Sequence, residues 1–221
     1  GSDTSVVFDA SMPIWTGLGN ATFNNYWYGT RDEAYFGYFR NLIHSSSGTG
    51  WNSIAWSSKD RLATGVYNSM VAQIQAKMAT GMCSNGCVVV SHSTGGLVVD
   101  YMLASCKNSA GTGADCYNVY DKIYLHVAVA SAAGGSELGD WGIAFANGSC
   151  SLPGISTIVS WLMNGVNCGV GSSGLGVLND LVVGTARNSN KSSLTATPTL
   201  MVAGEGIAGA QGVVTAPILA G

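Results

Sequence analysis

One stretch constrains this chain more than any other: Cys87-Val88-Val89-Val90-Ser91-His92-Ser93-Thr94-Gly95-Gly96-Leu97-Val98-Val99-Asp100-Tyr101. It begins as an apolar, β-branched run without polar alternation, which is how a strand covered on both faces reads. Small residues at Ser91, Ser93, Gly95 and Gly96 interrupt the run, and Leu97, Val98, Tyr101 and Met102 then follow at helical spacing. A strand that enters a helix through so short a turn needs small flanking side chains. Ser91 and Gly95 meet that need, and Gly96 lets the helix pack close to the strand. Covered strands joined directly to helices build parallel sheets of the α/β class.

The rest of the chain has the same texture. Strands are expected over residues 5–9, 13–16, 53–57, 87–91, 122–131 and 199–203. A helix is expected over 61–79, capped by Asp60 and ended by Gly81, because Leu62, Val66, Met70, Ile74 and Met78 recur every four residues. Further helices are expected over 94–106, 152–163 and 175–186. The fold class is therefore α/β, a mostly parallel central sheet with helices on both faces, in one domain spanning 1–221. Residues 132–174 are Gly-rich and poor in charge, and too long for an ordinary connection. They read as a cap or lid inserted over the carboxyl edge of the sheet.

Charge is scarce. Nine Lys+Arg against twelve Asp+Glu give a net charge of −3, and charged residues make up 10% of the chain against roughly 25% in an average soluble domain. Such a surface offers no basic field for phosphate backbones or anionic lipids, so nucleic acid and electrostatic membrane binding are not expected. No stretch of about 18 apolar residues occurs, so neither is stable membrane insertion. The opening Gly1-Ser2-Asp3 has no basic or apolar leader, so any signal peptide is expected to have been removed.

Cys83, Cys87, Cys106, Cys116, Cys150 and Cys168 include no C-x-x-C pair and have no His at zinc-finger spacing, which favours disulfides over metal ligation. Sequential pairing is preferred among the possible connectivities, because each enclosed loop is short and polar or Gly-rich. Disulfides imply an oxidising compartment, so the protein is expected to be secreted or periplasmic.

The turn in the constraining stretch carries the chemistry. Ser93, between strand and helix, is expected in a strained conformation with its hydroxyl above the carboxyl edge of the sheet, where backbone N–H groups of the helix start face a developing oxyanion. This small-x-Ser-x-Gly-Gly turn resembles the nucleophile elbow of the α/β-hydrolase fold, and within it the lipase and esterase branch, with Ser91 standing where that branch usually has Gly. The resemblance implies Ser93 as nucleophile and the N–H of Thr94 as one oxyanion donor. It implies the second donor at Leu18, within Pro13-Ile14-Trp15-Thr16-Gly17-Leu18-Gly19-Asn20, where lipases often carry His-Gly. Trp15, Phe23, Tyr26, Trp27 and Tyr28 would then border an acyl pocket, and Ala132 to Glu137 would mark a strand end near the site. Glu205, after the apolar run 199–203, stands close to the place of the catalytic acid.

The triad does not close within the sequence. In this fold the acid and then the histidine follow the nucleophile, yet of His44, His92 and His126 only His126 follows Ser93. His126 lies inside an apolar strand, where a buried structural histidine is expected, and the resemblance implies a supporting place for His92 within the elbow. The final strand, with the histidine and an acid, is accordingly expected beyond Gly221, so that a C-terminal fragment would complete the fold. The expected function is a secreted serine carboxylic-ester hydrolase acting on a small-molecule or lipid ester through an acyl-enzyme on Ser93. A non-catalytic hydrolase-fold binding module, an incomplete fragment and an acyltransferase are the alternatives. No metal or organic cofactor is implied.

Overall fold

The computed structural model describes residues 61–62, 67–111, 116–150, 168–169, 171, 175–188 and 197–203. The strands expected over 5–9, 13–16 and 53–57, the helix over 152–163, and Leu18, His44 and Glu205 lie outside them.

Within the described residues the chain alternates strand and helix. The elements are α1 (Asn68–Met78), β1 (Cys87–His92), α2 (Thr94–Asn108), α3 (Tyr117–Lys122), β2 (Ile123–Val129), α4 (Glu137–Ala146), α5 (Gly176–Leu181), α6 (Val183–Asn188) and β3 (Thr199–Val202). The three strands form one parallel sheet in the order β1-β2-β3, with helices around it. This is an α/β arrangement.

Of the apolar residues expected along this helix, Leu62, Met70 and Ile74 are buried and Met78 is half-buried, but α1 begins at Asn68, after Tyr67, and not at residue 61. The Tyr67 hydroxyl donates to Ser105 Oγ at 2.5 Å and ties the start of α1 to α2. Leu97, Val98 and Met102 of α2 are completely buried in the same core. At about 1.5–3 kcal/mol for each fully buried aliphatic side chain, these residues of α2 are a large part of what holds the helix to the sheet.

Burial also separates the two faces of the sheet. Val89, Ser91, His126 and Ala128 share the face toward α2, because parallel register pairs Val89 with His126 and Ser91 with Ala128. Three of these four are buried. Val88, Val90, Val127 and Val129 on the other face are half-buried and lie outside the core cluster. The four residues of β3, at the edge of the three described strands, are exposed, Met201 by 57%.

Three local expectations are refined. β2 begins at Ile123, because Lys122 closes the short helix α3. The helix expected over 175–186 is two helices, since Val182 turns extended at φ −55°, ψ 130° between α5 and α6. Within the Gly-rich insertion, Glu137–Ala146 is a helix, its first turn capped by Ser136, whose Oγ accepts from Leu138 N at 3.2 Å. Gly139 lets this helix meet α5 backbone to backbone: a Cβ there would fall 2.8 Å from the carbonyl of Leu181.

The cysteines pair sequentially, Cys83 with Cys87, Cys106 with Cys116 and Cys150 with Cys168. The second bridge fixes the end of α2 to the start of α3, and Ser109 reinforces it, its Oγ donating to the Cys106 carbonyl at 2.8 Å and accepting from Cys116 N at 2.9 Å. A second long-range tie is ionic. Asp180 of α5, 1% exposed, accepts from Arg61 Nε at 2.8 Å, Arg61 Nη2 at 2.5 Å and the backbone N–H of Leu62 at 2.7 Å. The carboxylate raises the Arg61 pKa above its ordinary value, chiefly through that hydrogen bond.

Candidate functional site

β1 ends at His92 and α2 begins at Thr94, which leaves Ser93 alone to make the turn. Its backbone sits at φ 54°, ψ −129°, outside the regions a residue with a Cβ ordinarily occupies. A conformation of this kind costs on the order of 1–3 kcal/mol and persists only where its surroundings over-determine it.

Those surroundings are visible. Ser93 N donates to the carbonyl of Val129 at 3.1 Å, and Ser93 O accepts from Ala132 N at 3.1 Å and Gly96 N at 3.0 Å. The serine backbone is thus fastened to the end of β2 on one side and to the first turn of α2 on the other. Ala130, just past β2, is also at positive φ, 43°, and donates to the carbonyl of Val202 at 2.8 Å. Ser93, Ala130 and the end of β3 are therefore laced together along the carboxyl edge of the sheet.

Thr94 is the first residue of α2, and the N–H groups of a first helical turn have no partner within the helix. They and the dipole of the fifteen-residue helix favour negative charge at this end. Because His92, Val129 and Val202 occupy matching register positions, β3 ends two strand spacings, about 10 Å, from β1. Glu205, expected near this edge, lies outside the described residues.

The histidines behave differently from one another. His92 is half-buried, and burial lowers its pKa below 6.5. His126 is completely buried, as the apolar run around it predicts, and its Nε2 lies 2.6 Å from Ser91 Oγ. Its Nδ1 faces Asp100 Oδ1 of α2 at 3.4 Å without the alignment of a hydrogen bond. The sequence marks Ser91 as a small elbow residue and His126 as a core residue but does not pair them. The signal was present: parallel neighbours on one face, with Asp100 one helical turn after Gly96.

Among the described residues no cluster of three or more His, Cys, Asp or Glu could hold a metal ion, and no helix is long and apolar enough to cross a membrane. No family model and no curated protein matches this chain.

Proposed function

We propose that the chain is a serine carboxylic-ester hydrolase of the α/β-hydrolase type, with Ser93 as nucleophile. The observation that carries this reading is the backbone of Ser93: a non-glycine residue at φ 54°, ψ −129°, between a parallel strand and a helix N-terminus. A side chain set on such a turn stands clear of its neighbours, and the adjacent helix start supplies oxyanion donors.

In the proposed reaction Ser93 Oγ attacks the carbonyl carbon of an ester while a histidine takes its proton. The tetrahedral oxyanion is held by the N–H of Thr94 and that of Leu18. Collapse expels the alcohol, which receives the proton from the histidine, and water then repeats the sequence on the acyl-enzyme to release the acid. His126 does not serve as the base in this reading, since its Nε2 is taken by Ser91. No described residue is assigned as the base, and Glu205 is the proposed acid that orients it. The substrate is a small-molecule or lipid ester, and the three disulfides support a secreted or periplasmic location.

One observation favours a second reading, a non-catalytic binding module on the same scaffold: the only described histidine after Ser93 in the sequence is buried and occupied. Hydrolysis of a series of p-nitrophenyl esters by the full-length gene product separates the two. The hydrolase reading predicts turnover that falls at least about a thousandfold in Ser93→Ala. Turnover unchanged in that variant would exclude Ser93 as nucleophile.

A further inference from the structure

Beneath the elbow, on the face of the sheet covered by α2, lies a line of polar groups in an otherwise apolar layer. Ser91 on β1 is 6% exposed and His126 on β2 is 0% exposed. Asp100 on α2 has a side chain 20% exposed, with Oδ1 toward the imidazole. Buried polar groups are retained at a cost of about 1–3 kcal/mol for each one left without a partner. Nδ1 of His126 is the buried side-chain nitrogen that lacks a hydrogen bond among the described residues, and the one charged group facing it is Asp100.

The three residues belong to the three elements that meet at Ser93. β1 ends just before it, α2 begins just after it, and β2 accepts its N–H at Val129. The chemistry also has a direction. An aspartate accepts and cannot donate, so the nitrogen it faces is favoured by electrostatics as N–H. A neutral imidazole protonated at Nδ1 presents a lone pair at Nε2, and the 2.6 Å contact is then a hydroxyl of Ser91 donating to His126. A small approach of Asp100 converts the 3.4 Å contact into a full hydrogen bond.

We propose that Asp100 fixes His126 as its Nδ1–H tautomer, that Ser91 donates to Nε2, and that this buried line makes Asp100 and His126 positioning residues for Ser93. Neither touches substrate; they set the relative placement of β1, β2 and α2, on which the angle of the serine and the aim of the Thr94 N–H depend. The positioning role rests on the reading of Ser93 as nucleophile, whereas the tautomer does not.

The test uses the full chain encoded by the gene. Nitrogen-15 NMR of the histidine rings, with His126→Gln to assign the signals, reads the tautomer directly. The expected result is a neutral His126 protonated at Nδ1; an Nε2–H ring overturns the proposal. The labelling rate of Ser93 by a fluorophosphonate is then compared among wild type, Asp100→Ala and Asp100→Asn. Asp100→Ala is expected to slow labelling about tenfold, within the range known for small displacements of reacting groups. Asp100→Asn keeps an acceptor oxygen and is expected to restore most of the rate. Labelling unchanged in an Asp100→Ala protein whose tautomer has shifted overturns the positioning role while leaving Ser93 as nucleophile. A wild type that is not labelled overturns the nucleophile and the positioning role together, and the ring spectrum still decides the tautomer. If Asp100→Ala fails to fold, Ser91→Ala takes its place, with the same slowing expected and an unchanged rate counting against the proposal.

Discussion

Gly96 in the first turn of α2 stands directly against Ser131 in the loop after β2: a Cβ built on the glycine would fall 2.8 Å from the Cβ of the serine. The helix can approach the end of β2 this closely only without a side chain at position 96. Gly96→Ala is therefore expected to destabilise the protein by about 1–3 kcal/mol, as overpacking does, although alanine is the better helix former. Urea unfolding of Gly96→Ala alone and combined with Ser131→Gly checks this. The second change removes the obstructing side chain and should recover a good part of the loss.

The backbone of Ser93 makes a separate prediction about stability. Glycine tolerates positive φ where serine is strained, so Ser93→Gly should be more stable than Ser93→Ala by about 1 kcal/mol. Denaturant midpoints of the two variants decide it. Equal midpoints would mean that the turn relaxes in solution.

Arg61 and Asp180 are unequally buried, their side chains 40% and 1% exposed. Arg61→Ala removes the charge partner of a buried carboxylate, which costs about 3–5 kcal/mol for a buried pair broken at one side, less here because the Leu62 N–H still donates to it and water can enter the vacated space. Asp180→Ala leaves a guanidinium that can turn to solvent and one buried N–H at Leu62, a loss of about 1–3 kcal/mol. Thermal unfolding should accordingly rank Arg61→Ala as the more damaging change.

His92 links stability to pH. Burial lowers its pKa in the folded protein below the ordinary 6.5, so between the two values the unfolded chain binds more protons than the folded one. Its contribution to stability is full above about pH 6.5, declines as the pH falls toward the folded-state pKa, and levels off below it. His92→Gln should flatten the stability profile in that window and leave it unchanged at higher pH.

How much of this was legible in the sequence depended on whether the determining interactions were local. The strand at Cys87–His92 and the helix that follows announce themselves through an unbroken β-branched run and an apolar helical stripe. The sequential disulfides followed from short loops. The helix at Glu137–Ala146 was obscured by Gly139 and Gly142, which lower helix propensity, while the close contact that makes a glycine useful against Leu181 is tertiary. The break at Val182 falls inside the apolar run Leu181-Val182-Val183, and Gly184 lies two residues past it, within α6. At the site, Ser93 was legible because the turn imposes its own composition. The Ser91–His126 contact was not, since it depends on the register between two strands separated by more than thirty residues.

The proposed function requires Ser93 to be an activated nucleophile. It is tested most directly by incubating the full-length gene product with a fluorophosphonate and locating the adduct by peptide mass spectrometry. A single phosphonylated residue, Ser93, is expected, with no adduct in Ser93→Ala or in protein unfolded beforehand. An unmodified Ser93 in the folded protein, or an adduct that persists in Ser93→Ala, would contradict it.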